Sequence, residues 1–201
     1  MKRFASCLGA LAGLALLSGC MTDGGPTPPS VTRFHLGQPI ARGEIRVESA
    51  DPADANSLEF SQIAAPVERE LARLGWTVAR GNAASEQVAV VRLRQAARPG
   101  GRSSGLSIGV GGGSIGRSSG VGVGVGVGTT IPLGSPNAIV ASELSVRIQR
   151  RSDATVAWEG RAELEARGGT PLASPSGAAD RLAWALFQDF PGESGRTIRT
   201  R

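Results

Sequence analysis

Two runs in the C-terminal third of the chain alternate with a period of two. In Glu143–Arg150, Leu144, Val146 and Ile148 interleave with Glu143, Ser145, Arg147 and Gln149. In Thr155–Ala166, Val156, Trp158, Ala162 and Leu164 interleave with Ala157, Glu159, Arg161, Glu163 and Glu165. Successive side chains of an extended chain point to opposite faces, so each run has one face to bury and one to wet. The turn-like Arg151-Ser152-Asp153-Ala154 between them makes the pair an antiparallel hairpin. A sheet with one greasy face needs a second layer, and the chain offers two helices to supply it.

The first helix is expected over Ser57–Leu74, where Phe60, Ile63, Val67, Leu71 and Leu74 form one apolar stripe. Asn56 is the expected N-cap, with Glu59 three residues on, and Gly75 suits the position after the last turn. Pro66 removes a donor in mid-helix and predicts a kink or a delayed start. The second helix is expected over Pro175–Phe190, capped by Ser174, with Leu182, Leu186, Phe187 and Phe190 on its apolar side. Further strands are expected at Thr32–Leu36, Glu44–Ser49, Trp76–Ala79 and Gln87–Gln95. With five Phe, three Trp and no Tyr in 201 residues, the core must rest on Val, Leu, Ile and Ala. The expected fold is an α+β two-layer sandwich: an antiparallel sheet, two helices on one face, and a Gly/Val-rich hairpin extension.

The N-terminus carries a different signal. Lys2 and Arg3 precede an apolar run, Leu8–Leu17, too short to span a bilayer, which needs about 20 apolar residues. Its end, Leu17-Ser18-Gly19-Cys20, closely resembles the lipobox of bacterial lipoproteins. That resemblance implies cleavage before Cys20, lipidation of its thiol, and a membrane anchor held by two or more acyl chains. Met21 stands where an Asp often signals inner-membrane retention, so the expected address is the outer membrane, facing the periplasm. With Cys7 removed and Cys20 lipidated, no thiol remains for a disulfide or a thiolate metal site. Without Lys2 and Arg3 the net charge falls from +5 to +3, and mixed surface charge explains it better than nucleic-acid binding. The expected layout is therefore a signal peptide over 1–19, a lipidated tether over 20–31, a domain over 32–191 with a Gly-rich insertion at 100–134, and a disordered basic tail over 192–201.

Thirteen of the 29 glycines lie between Gly100 and Gly128. The opening G-R-S-S-G occurs twice, at Gly101 and Gly116, so Leu106, Ile108 and Val110 match Val121, Val123 and Val125. Gly111–Gly116 satisfies G-x-G-x-x-G, but no helix follows to bind a pyrophosphate. Extended, the segment places Val121, Val123, Val125 and Val127 on one face and bare backbone on the other. Each buried Val contributes about 1.5–3 kcal/mol and each Gly costs about 0.5–1 kcal/mol. A strand forms only if the valines are covered; uncovered, the segment stays a loop. These four valines are the candidate partner contact.

Recognisable chemistry is sparse. His35 is the only histidine, and one His with no free Cys argues against a zinc site. No G-x-S-x-G elbow marks a nucleophile. Glu143, Glu159, Glu163 and Glu165 read as salt-bridge ladders on strand faces. Arg92, Arg94, Arg98 and Arg102 make a basic run that reads as a solvated strand face, with contact to anionic lipid or polysaccharide as the alternative. No catalytic residue, cofactor or metal is expected.

The lipobox, Val67–Trp76 ("VERELARLGW"), "VAVVRLR", the Gly/Val insertion, Val156–Gly160 ("VAWEG") and a last helix ending Phe190-Pro191 occur in one order. From Thr32 to Pro191 the chain resembles the domain-of-unknown-function 4136 family of bacterial envelope lipoproteins. The resemblance implies an α+β envelope domain with no assigned activity. The expected role is non-catalytic, binding an envelope protein or polymer; an enzyme or carrier acting on an envelope glycan or lipid is the alternative.

Overall fold

The computed structural model describes residues 27–80, 85–100 and 135–200. The chain runs through β1 (Ser30–His35), β2 (Glu44–Ser49), α1 (Leu58–Arg73), β3 (Thr77–Val78), β4 (Gln87–Pro99), β5 (Ala138–Arg150), β6 (Val156–Arg167), α2 (Pro175–Phe187) and β7 (Thr197–Arg199). The seven strands form one sheet in the order β3-β2-β4-β5-β6-β1-β7. Both helices pack against it, giving the expected α+β architecture.

The sheet is mixed. β4, β5, β6, β1 and β7 pair antiparallel, while β2 lies parallel to both β3 and β4. The cause is connectivity. A tight turn joins β5 to β6, but α1 intervenes between β2 and β3, and a helical crossover returns the chain in the same direction.

β5 shows how alternation becomes burial. Its even-numbered residues from Ala138 to Ile148 are all buried, and its odd-numbered ones are partly or fully exposed. Ser57, not Asn56, caps α1: its hydroxyl accepts from the Phe60 N–H at 2.9 Å. Ser57 is the last extended residue, and its short side chain reaches the third helical amide. The helix begins at Leu58 and continues through Pro66, so its start is not delayed. Ile63, Val67 and Leu71 lie on its buried side. At its end Gly75 takes φ +97° and donates to Ala72, and Trp76 donates to Leu71, the paired bonds of a Schellman ending. α2 starts as expected, with Ser174 capping Gly177, but ends at Phe187 rather than Phe190.

The core centres on Trp158, which is fully buried and stacks on Phe187 with 5.4 Å between ring centroids. Phe190 lies 5.1 Å from Trp158 and meets Trp76 edge-on at 5.3 Å. Gly160 gives this cluster room: a Cβ there would come 2.8 Å from Leu186 and closer still to the Trp158 ring.

The tail corrects the expected boundaries. Residues 192–200 are not a disordered appendage; Thr197–Arg199 forms β7, an edge strand on β1. Thr200 donates to Pro29, so Pro29, Ser30 and Val31 also belong to the domain rather than to a tether. His35 holds the approach to β7. Its Nδ1 accepts from the Gly37 N–H at 3.1 Å, which leaves Nε2 protonated to donate to the Gly192 carbonyl at 2.9 Å. Arg33 is buried and donates from Nε to Leu186 (2.9 Å) and from Nη2 to Ala185 (3.0 Å), both carbonyls in the last turn of α2. Burial pulls its pKa below the usual arginine value, and the nearby Asp189 charge opposes that shift. The guanidinium stays charged and complements the negative end of the helix.

Candidate functional site

The feature that stands out is a mismatch in strand length. β4 has 13 residues and pairs along its whole length with β5. On its other side β2 covers only Gln87–Val91. From Arg92 to Pro99, β4 therefore has one strand neighbour among the described residues.

The alternation of backbone direction says which groups face the gap. Ala50 donates to the Val91 carbonyl from the β2 side, whereas Gly100 donates to Asn137 on the β5 side. Odd-numbered residues of β4 thus turn their N–H and C=O away from β5. Leu93, Gln95 and Ala97 follow that rule and find no backbone partner there among the described residues. Pro99, with no N–H, falls in the same register, where a strand edge tolerates proline.

The core-side face of this segment is not open. The Gln95 carboxamide donates to Ser142 (2.9 Å) and to the Ala173 carbonyl (3.2 Å), tying β4 to β5 and to the turn before α2. Among the described residues, only the lateral edge is free. Beside it lies a notch of about 530 Å³ between β4 and the first turns of α1. Phe60, Ile63 and Leu93 supply its apolar lining, Asp51 and Asp54 one rim, and Arg92 the other. Leu58, in the adjoining first turn of α1, is 83% exposed.

The outward face of the sheet carries the charges. Arg94 and Arg161 both approach Glu143, at 3.9 and 3.7 Å; Arg147 approaches Glu159 at 3.6 Å; Arg98 meets Glu165 at 2.9 Å. This is the ladder expected of Glu143, Glu159 and Glu165. Glu163 faces Glu143 across the β5–β6 register and has no ion pair among the described residues. Each exposed pair contributes at most about 1 kcal/mol. Arg92, Arg94 and Arg98 lie on this solvated face as expected. Arg102 lies outside the described residues, as do the segment expected to be a signal peptide, the expected lipid-attachment residue Cys20, the segment expected to form a Gly/Val hairpin, and the partner-contact candidates Val121, Val123, Val125 and Val127. Sequence reasoning missed the open edge; the signal for it was the six-residue β2 beside a longer β4.

Among the described residues, every buried side-chain nitrogen and oxygen has a hydrogen-bond partner. No group of three or more His, Cys, Asp or Glu among them is placed to hold a metal ion. No helix among them is long and apolar enough to cross a membrane.

An α+β domain whose β4 edge is open among the described residues, beside a notch with a polar rim and an apolar floor, is what fold and site define. No family model matches the chain. Uncharacterized protein ZMO1243 of Zymomonas mobilis subsp. mobilis is 30% identical over 213 aligned positions, which take in 87% of this chain and 80% of that protein. The chain belongs to the same family as this protein. Among solved structures, a PDZ domain protein from Parabacteroides distasonis is 12% identical with a TM-score of 0.47; the likeness covers 88% of this chain and 40% of that one. A PelC dodecamer from Paraburkholderia phytofirmans is 10% identical with a TM-score of 0.40, covering 80% of this chain and 97% of that one.

Proposed function

We propose that this protein is a lipid-anchored, non-catalytic domain of the bacterial envelope, of the domain-of-unknown-function 4136 type, that binds an extended segment of an envelope protein along β4. The observation that carries the binding role is the open edge from Arg92 to Pro99, where β2 has already ended. Unpaired N–H and C=O groups repeating every second residue match a polypeptide strand, which would add to the sheet. A glycan has no such repeat. The apolar lining of Phe60, Ile63 and Leu93 would take a side chain of that strand. The lipobox ending in Cys20 supports the anchor, with the outer membrane and its periplasmic side as the address.

Two substitutions test this reading in cells. Cys20→Ala should move the chain from the membrane fraction to the soluble fraction; unchanged retention contradicts the anchor. A photocrosslinker at Ala96, an exposed position on β4, should capture one discrete partner. Ala97→Pro deletes an outward N–H where the edge tolerates proline, so capture should fall about tenfold or more while the fold persists. Undiminished capture in Ala97→Pro contradicts strand addition. Capture of the chain's own residues 101–134 would make the edge an internal seam and overturn the partner reading.

A further inference from the structure

We propose that the outward face of the sheet holds a second site, one for a compact phosphate-type dianion, centred on Ser145. The register places Ser145 of β5 between Arg92 of β4 and Arg161 of β6. Arg94 and Arg147 sit two residues away on β4 and β5. All four arginines line one hollow of about 300 Å³, together with Glu143 and Glu159. Neighbouring strands lie about 4.8 Å apart, so the Arg92 and Arg161 backbones are separated by roughly 10 Å. From that distance two long side chains can close from opposite sides on one tetrahedral anion, with the Ser145 hydroxyl beneath as a third donor.

The arginines of the hollow are weakly engaged. Their carboxylate distances of 3.6–3.9 Å exceed the 2.7–2.9 Å of a charge-assisted hydrogen bond, whereas Arg98–Glu165, outside the hollow, is tight at 2.9 Å. Guanidinium N–H groups therefore remain available to a ligand. Arg92 has no carboxylate within ion-pair distance among the described residues, although it also borders the notch that holds Asp51, Asp54 and Glu59.

The balance of charge selects the shape of the ligand. Seven arginines and six glutamates project outward from β2, β4, β5 and β6. A flat anionic membrane laid on this face would meet nearly as many carboxylates as guanidiniums. Within the hollow the ratio is four to two, and only a compact anion samples that surplus of two positive charges. The site is independent of the lipid anchor and of strand addition at β4.

Pyrophosphate titrated into the full-length chain in non-ionic detergent, followed by calorimetry at fixed ionic strength, tests the proposal. Saturable one-to-one binding is expected. Arg92→Gln and Arg161→Gln should each weaken it about tenfold, the loss of one or two charge-assisted bonds. Glu143→Gln releases Arg94 and Arg161 and should tighten binding several-fold, a gain that damaged folding cannot mimic. Arg98→Gln should change nothing. The proposal is overturned by absent or non-saturable binding, by equal losses in Arg98→Gln and Arg92→Gln, or by weaker binding in Glu143→Gln. Adsorption to phosphatidylglycerol vesicles with the same dependence on Arg92 and Arg161 would also overturn it, because a lipid surface would then be the ligand.

Discussion

Replacing Trp158 by alanine should lower unfolding stability by about 3–5 kcal/mol, the range for losing a fully buried indole. Trp158 is the largest fully buried side chain in the core, stacked on Phe187 and in contact with Phe190. Its indole N–H also donates to the Pro191 carbonyl at 3.0 Å, so the change strips a buried hydrogen bond as well as apolar area. Urea unfolding should show the midpoint falling steeply. A double-mutant cycle sharpens the expectation. Gly160→Ala alone should destabilise, since its Cβ would press on the Trp158 ring and on Leu186. In the Trp158→Ala background the new methyl enters the vacated space, and its cost should largely vanish. Additive costs would contradict this packing account.

The second large effect concerns Arg33. A buried ion pair can often be exchanged for apolar residues at little cost, but Arg33 is not held mainly by a carboxylate. It donates to the carbonyls of Ala185 and Leu186, which stay buried when the guanidinium is gone. Arg33→Met keeps the unbranched apolar stem and leaves both acceptors unpaired at the end of α2. The expected loss is about 2–4 kcal/mol. Arg33→Lys should recover less than half of it, because one ammonium cannot reproduce the fork that reaches two successive carbonyls. Gly192 packs on this side chain at φ +79°, with a Cβ placed 2.9 Å from Nη1, so the turn leading to β7 should loosen in both variants. Faster amide exchange at Ile198, measured by NMR, checks that link. A loss below 1 kcal/mol in Arg33→Met would show the two carbonyls to be satisfied in another way.

What could be read in advance was what local patterning controls. The alternation in β5 and β6, the apolar stripe of α1 and the Ser174-Pro175 start of α2 each follow from side-chain spacing or capping chemistry within a few residues. β7 was hidden because Thr197, Ile198 and Arg199 carry no pattern of their own; they are ordered by β1, more than 150 residues away in sequence. The far end of β4, Ala96 to Pro99, has weak strand propensity and is held by pairing with β5. The parallel setting of β2 depends on where the crossover returns, which no short window contains. The open edge is a difference between two strand lengths, and one of those lengths was itself underestimated. Cys20 and the four valines lie outside the described residues.

The central claim is that the backbone of β4 beyond Val91 is open on one side. Residue-resolved hydrogen–deuterium exchange on the full-length chain measures this directly. The amides of Arg92, Arg94 and Ala96 point to β5 and should exchange slowly. Those of Leu93, Gln95 and Ala97 point into the gap and should exchange at least a hundredfold faster, then slow when the partner segment binds. Equal protection of the two sets in the isolated chain would mean that the edge is already closed, and would contradict the account.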